Sequence, residues 1–339
     1  ASGVGLALIA CTTTLFAATP PQAVPLAAAG VSSPSFVTPT LQEQRAAYTF
    51  ETSLLAGLIA QAEATFVEVT KSQPGSLVAK DLRAEILRAT EVLQEPLPPR
   101  ATRLAAIASL QEAQSEAAEV LSRRTNLEAA IRKAAGKATV GVYAFDLDTG
   151  TVLATTRASR VFTAASTYKL YVAYSMFQAV RRGDWDWDDR LLGKRALGRC
   201  FDAMIVESNN ACPVAWLRRV GPARVEKDLA PLGLEKTSVR WGKMRTTAAD
   251  LGSFIEQVVA GDALEEDEQA RLMKAMHAQI FRRGIPAGIP GAVVADKVGF
   301  LGADLHDAAF VESDKGNLVL VVLTSNASWP TIAEISALI

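Results

Sequence analysis

Histidine is nearly absent from this sequence: His277 and His306 are the only two in 339 residues, and the three cysteines lie far apart from any metal-binding spacing. A site built on clustered histidines or a Cys-x-x-Cys pair cannot be assembled from them, and a histidine-based catalytic triad is short of candidates. An excess of either charge is also missing. Lys+Arg (35) nearly balance Asp+Glu (36), so no global field selects nucleic acid or anionic lipid. Neither a nucleic-acid partner nor a cofactor or metal is expected. The acidic run Asp184-Trp-Asp-Trp-Asp-Asp189 lacks the glycine and distal glutamate of an EF-hand loop, which leaves an acidic turn with packed tryptophans.

Charge is absent altogether from residues 1–42. Within them, Val4 to Ala18 forms an apolar block of signal-peptide length, too short for a comfortable membrane span, and the chain is expected to be exported. With no initiator methionine or basic start, the sequence is expected to open inside that signal. Leu8-Ile9-Ala10-Cys11 also fits a bacterial lipobox, which would anchor the protein to a membrane through a lipidated Cys11; an ordinary cysteine in a signal segment is the competing reading, because Leu15, Phe16 and the alanines beyond stay apolar. Five prolines among Ala, Ser, Thr and Val make residues 19–40 an extended tether.

A hydrophobic content of 49% and the chain length support two packed domains. From Leu41 the apolar period is helical. Leu54, Leu55, Leu58, Ile59, Ala62 and Phe66 mark a first helix, Leu82, Ile86, Ala89 and Leu93 a second, and Leu104, Ile107, Leu110, Ala117 and Leu121 a third. Residues 41–121 therefore read as a small antiparallel three-helix bundle, either a spacer or wall-contacting module or a structural appendage. A further helix, Arg123 to Lys137, opens the second domain at 122. Strand patterns follow at 138–145 and 151–155 and return at 293–298, 307–311 and 318–323, before a final helix through Ile332 and Ile335. Strands at both ends of 122–339 around a helical middle describe an α+β domain with one antiparallel sheet.

Three short segments carry chemistry. Ser166 and Lys169 stand one helical turn apart, close enough for the amine to take the hydroxyl proton, and Leu170 to Phe177 continues as a buried helix whose first turn offers free N–H groups to an oxyanion. Alone, this spacing also fits a serine cap followed by an exposed lysine. Ser208-Asn209-Asn210 lies between two apolar helical runs; Ser208 can relay a proton and Asn210 can bond a substrate amide, or the triplet can simply cap the helix from Ala211. Lys297-Val298-Gly299-Phe300 lies on a strand, where the lysine can face a carboxylate and the glycine can let substrate backbone approach; an ordinary edge strand would look the same.

In this order the segments resemble the active-site serine penicillin-recognising family, the class A β-lactamases and D,D-peptidases, whose motifs are Ser-x-x-Lys, Ser-Asp-Asn and Lys-Thr-Gly. The hairpin 141–150, the stretch Leu232 to Thr237 followed by Arg240-Trp241, and His306-Asp307 extend the similarity over about 122–339. The resemblance implies a β-lactamase/transpeptidase-like fold and a serine hydrolase acting on β-lactams or peptidoglycan peptides of the cell wall. It implies Ser166 as acylated nucleophile, Lys169 as base, Ser208 as proton relay, Asn210 and Lys297 as substrate ligands, and the N–H groups of Ser166 and Phe300 as oxyanion hole.

Two departures bear on mechanism. After Arg240-Trp241 comes Gly242-Lys-Met-Arg-Thr-Thr247, so the loop that carries the deacylating glutamate in class A β-lactamases is missing, and Glu235 and Glu256 do not match its place. Acylation can survive this, whereas deacylation should be slow. Val298 replaces a threonine or serine, which removes a hydroxyl from carboxylate recognition. A true β-lactamase with a different base, and a weakly catalytic cell-wall binding protein, are the competing expectations. Cys200 and Cys212 bracket Ser208 and are expected either to form a disulfide that braces this loop, as export allows, or to be two buried thiols.

Overall fold

A helical apolar period runs on well past the tether. In the computed structural model, which describes residues 39–73 and 75–339, it becomes α1 (Leu41–Ser72), α2 (Leu77–Gln94) and α3 (Arg100–Ala135). The expected export signal, the tether before residue 39 and Cys11 lie outside the described residues. Residues 39–46 open α1, where the amide and hydroxyl of Thr40 both donate to Glu43. Within residues 47–339, Leu55, Leu58, Ala62 and Val69 of α1 join Leu82 and Ile86 of α2 and Ile107, Leu110 and Ala117 of α3 in one apolar core. Leu54 and Leu104, expected on the inner faces, are exposed instead.

The expected third and fourth helices are one. α3 passes through the boundary drawn at 121/122 without a break, because residues 118–128 contain neither glycine nor proline, and within them Arg124 and Glu128 turn inward to Ser72 and Thr155. Its early turns pack into the three-helix core. Its last turns, through Ile131 and Ala135, pack under the sheet. Gly136, with φ 55°, then stops it, a conformation that a side chain would disfavour.

The sheet follows. β1 (Thr139–Asp146) and β2 (Thr151–Ala154) form the expected hairpin, and β3 (Phe162–Thr163) leads to a 3₁₀ turn at Ala165–Thr167 and to α4 (Tyr168–Arg181). The middle contains β4 (Arg190–Leu192), β5 (Arg195–Ala196), α5 (Leu197–Val206), α6 (Ala211–Val220), α7 (Pro222–Leu229), β6 (Arg245–Thr246), α8 (Ala248–Val259), α9 (Glu266–His277) and the short α10 (Ile285–Gly288). β7 (Val293–Leu301), β8 (Asp304–Ser313), β9 (Gly316–Ser325) and α11 (Trp329–Ala337) complete the chain. The main sheet has the order β2-β1-β9-β8-β7, antiparallel throughout.

Alternation along the strands gives this sheet two apolar faces. Val140, Val142, Leu320 and Val322 meet α3 and α11 on one side, while Ala295, Ala308, Val321 and Leu323 meet the helical middle on the other. The outer edge of β2 is covered by Gln73, whose side-chain amide bonds both the N–H and the C=O of Val152 in the manner of another strand. The opposite edge, β7, is where the catalytic segments gather.

Candidate active site

Ser166 sits on the 3₁₀ turn before α4, one step ahead of the helix expected to carry it at its first turn. Ala165 is held at φ 44°, a conformation costing an alanine about 1–2 kcal/mol, so the surrounding structure must impose it. Three bonds do so locally: Ala164 N–H to Met244 C=O at 3.1 Å, and the amide and hydroxyl of Thr167 to Ala164 C=O at 3.0 and 2.6 Å. α4 is buried from Tyr168 to Phe177, which fixes the direction of Lys169.

Lys169 is fully buried, and its Nζ lies 2.8 Å from Ser166 Oγ, 2.6 Å from Ser208 C=O, 3.1 Å from Ser208 Oγ and 2.8 Å from Asn210 Oδ1. An ammonium has three protons for these four oxygens; the neutral amine instead offers a lone pair to the Ser166 hydroxyl. Burial, and after it the charge of Lys297, lowers the Lys169 pKa to about 7, so the neutral form is within reach at neutral pH. Lys297 Nζ in turn lies 3.0 Å from Ser208 Oγ and 3.0 Å from Val298 C=O. Ser208 thus bridges two lysines.

The polar triplet divides its labour. Asn209 Oδ1 accepts from the N–H groups of Ala211 and Cys212 at 2.9 and 3.1 Å, so it does the capping work at the start of α6. Ser208, at φ 54°, and Asn210 are left free to face Lys169. The Cys200–Cys212 disulfide joins α5 to α6 across this loop, with Cα atoms 5.2 Å apart.

A hydroxyl, two converging lysines and a bridging serine, on a five-stranded antiparallel sheet with a helical middle, have a counterpart in known proteins. The model of the β-lactamase enzyme family matches residues 122–339. The chain belongs to this family. Among solved structures it is similar to PBP-A, at 24% identity over 63% of this chain and 94% of that chain, with a TM-score of 0.59. A PBP-A variant solved as an acyl-enzyme complex with penicillin G matches to the same extent. A β-lactamase from Sphaerobacter thermophilus matches at 21% identity over 63% of this chain and 95% of its own, with a TM-score of 0.59. No curated protein matches the chain in sequence. The structural likenesses establish the β-lactamase/transpeptidase-like fold, and with the family match the protein is a serine hydrolase.

In this β-lactamase-family chain, Gly299 does something other than the sequence suggests. A side chain there would lie 3.1 Å from the backbone nitrogens of Ser166 and Thr167, so its bare face is turned to the enzyme's own nucleophile turn rather than kept open for substrate. Phe300 follows, with its ring directed away toward Phe281 and Trp329. Val298 is fully buried, opposite Asp307 on β8.

Several residues of the site escaped the sequence reading. Asp296 and Asp307 are both fully buried, and one oxygen of each has no partner outside the pair. Arg282 bonds the other oxygen of Asp296, and Ile285 N–H bonds that of Asp307 at 2.8 Å. Burial raises the pKa of both, and the charge of Asp307 raises that of Asp296 further, which favours a single proton shared between the two. Their remaining negative charge supports Lys297, which burial lowers to about 8. His306 is a strut: Nε2 donates to Thr163 C=O at 2.7 Å, while Nδ1 accepts from Thr324 N–H at 3.1 Å. The signal for the acids was an aspartate in the strand run Val293-Val-Ala-Asp296, where a buried charge demands a partner.

The truncated loop is a tight turn. Ser238 and Arg245 exchange both backbone bonds at 2.9 Å, leaving six residues between them. Glu226 is engaged with Ser238 and Arg240. Among the described residues no carboxylate is hydrogen-bonded to Ser166, Lys169 or Ser208.

Proposed function

We propose that the protein is an exported enzyme that forms an acyl-enzyme at Ser166 with β-lactams or with D-Ala-D-Ala-like peptidoglycan peptides, and that it releases the acyl group slowly. Neutral Lys169 takes the Ser166 proton as Oγ attacks the carbonyl carbon. The oxyanion is held by the N–H groups of Ser166 and Phe300, donors worth about 3–4 kcal/mol each in other serine hydrolases. The C–N bond then breaks, and the proton passes through Ser208 Oγ to the leaving nitrogen. Asn210 bonds the substrate amide, and charged Lys297 attracts the carboxylate.

The observation that carries this reading is the 2.8 Å contact between Lys169 Nζ and Ser166 Oγ, in a site where, among the described residues, no carboxylate is hydrogen-bonded to Ser166, Lys169 or Ser208. The acyl-enzyme of the PBP-A variant with penicillin G supports it by likeness. The disulfide supports an oxidising compartment and hence export. Incubation with penicillin G followed by peptide mass spectrometry tests the central step. The adduct is expected on the peptide containing Ser166 and lost in Ser166→Ala. An adduct elsewhere, or none, would leave a binding protein on the same fold as the better account.

A further inference from the structure

The helical bundle leaves one broad face without a partner. Glu51 of α1 accepts from Arg103 of α3 at 2.7 and 3.0 Å, and Ser72 C=O accepts from Arg124 at 2.6 Å, in both cases across 52 positions of sequence. α1 and α3 therefore run parallel and level over these turns. α2 covers one side of the pair, where the guanidinium of Arg83 lies 5.5 Å above the ring of Phe66. On the other side of its buried stripe Leu55, Leu58 and Ala62, α1 presents Phe50, Leu54, Gly57, Gln61 and Ala64, all exposed and spaced by alternate steps of four and three. α3 repeats the pattern with Leu104, Ala108, Gln111, Ser115 and Ala118, also exposed. Arg100, one turn ahead of Leu104, reaches across to Glu51, which sets this second stripe beside α1.

Neither stripe holds a charged residue, whereas the outer surfaces of the same helices elsewhere carry Glu63, Glu112 and Glu116. Phe50 is 68% exposed, Leu104 44% and Leu54 37%, and a side-chain carbon on Gly57 would meet nothing within 4 Å. Such a face left in water forgoes the burial that drives association. Its uneven bulk selects the partner. Phe50, Leu54 and Leu104 stand at one end and Ala64, Ser115 and Ala118 at the other, with Gly57 between them. Turned end over end at Gly57, a second copy of the face sets its Ala64 opposite Phe50 and its Ser115 opposite Leu104, and the two glycines meet. Large side chains thus fall on small ones reciprocally, as a two-fold axis requires. The lack of charge lets the face meet its own copy without repulsion, while pairing through the glutamate-bearing surfaces would oppose like charges. Two stripes side by side cover about 25 Å by 20 Å, so a dimer buries roughly 1,000 Å² in flat projection, and more with side-chain relief, which reaches the range of specific interfaces.

We infer that the helical bundle is a dimerisation module, in which the α1–α3 face packs antiparallel on the same face of a second copy, with the two-fold axis at Gly57. α3 runs on from this face into the sheet, so the antiparallel order carries the two catalytic domains away from each other. The inference does not depend on acylation at Ser166.

Sedimentation velocity of the full chain tests it. The wild type is expected to be dimeric at tens of micromolar, and Leu54→Glu and Gly57→Lys should each raise the dimer Kd by about thirtyfold or more. Gly57→Lys has open space around it and gives α1 a better helix former, so the single chain tolerates it. Leu87→Glu, on α2 and 49% exposed, should remain dimeric. With Cys11→Ser throughout, Gly57→Cys is expected to form a disulfide-linked dimer, whereas Phe50→Cys, about 20 Å from its mate, is not. Circular dichroism melting shows that each variant is folded. A wild type that stays monomeric at these concentrations, including one that floats with phosphatidylcholine vesicles instead, would overturn the dimer. A dimer that survives both face substitutions, or that Leu87→Glu dissociates equally, would overturn the choice of face. Phe50→Cys crosslinking as readily as Gly57→Cys would overturn the antiparallel order.

Discussion

Gly299 lies so close to Ser166 that the first atom of a side chain on it would stand 3.1 Å from the Ser166 nitrogen. The catalytic strand and the nucleophile turn are thus in backbone contact, and the lysine at 297 reaches Ser208 because nothing separates them. Gly299→Ala is expected to push β7 from the turn. Overpacking of this kind costs about 1–3 kcal/mol. Penicillin acylation should slow by more than tenfold while the folded variant still melts cooperatively; calorimetry and labelling rates check both.

Acylation should have a bell-shaped pH profile. It needs Lys169 neutral and Lys297 charged, and their pKa values are about 7 and about 8, both lowered first by burial. The rate therefore rises through about 7 and falls above about 8, with the two limbs belonging to the coupled pair. Lys297→Met removes the like charge that depresses Lys169, so its acid limb should move to higher pH. Second-order labelling rates measured at a series of pH values check the shift.

The disulfide closes a short loop around Ser208, its cysteines standing at a sequence separation of 12. A cross-link of this kind contributes about 2–4 kcal/mol. The double variant Cys200→Ser, Cys212→Ser is expected to lose that much in urea unfolding. It should also acylate more slowly, because Ser208 at φ 54° depends on its frame.

The acid pair makes stability fall as the solution becomes alkaline. Burial raises both carboxyls in the folded state, so their contribution is complete below the ordinary carboxylate range and is lost as pH rises through about 6 and about 9. Asp307→Asn supplies an N–H in place of the shared proton and keeps an acceptor for Ile285, so it should flatten this loss. Asp307→Ala strands Asp296 and the Ile285 N–H and should cost about 1–3 kcal/mol per unpaired group. Urea unfolding at acid and alkaline pH separates the two variants.

The chemistry of the site was legible where it sits in local runs. Ser166 and Lys169 are one turn apart, and Ser208 and Asn210 share a loop, so spacing alone brings each pair near. What sequence spacing does not carry is long-range pairing. Asp296 meets Asp307 only through the β7–β8 register, and Phe300 meets Phe281 and Trp329 only because a loop and a helix end converge there. Asn209 and Asn210 are indistinguishable as caps until the left-handed turn at Ser208 directs one to α6 and the other to Lys169. The third and fourth helices expected from the apolar period are one continuous α3, in which Arg124 and Glu128 turn inward to Ser72 and Thr155.

The lifetime of the penicillin adduct at Ser166 tests the central claim most directly. With a fluorescent penicillin in excess and then removed, the label should appear within minutes and persist for hours, because among the described residues no carboxylate is hydrogen-bonded to Ser166, Lys169 or Ser208. Label that appears and clears within seconds, with matching hydrolysis of the free drug, would contradict the account and point to a deacylating base outside the hydrogen bonds of Ser166, Lys169 and Ser208.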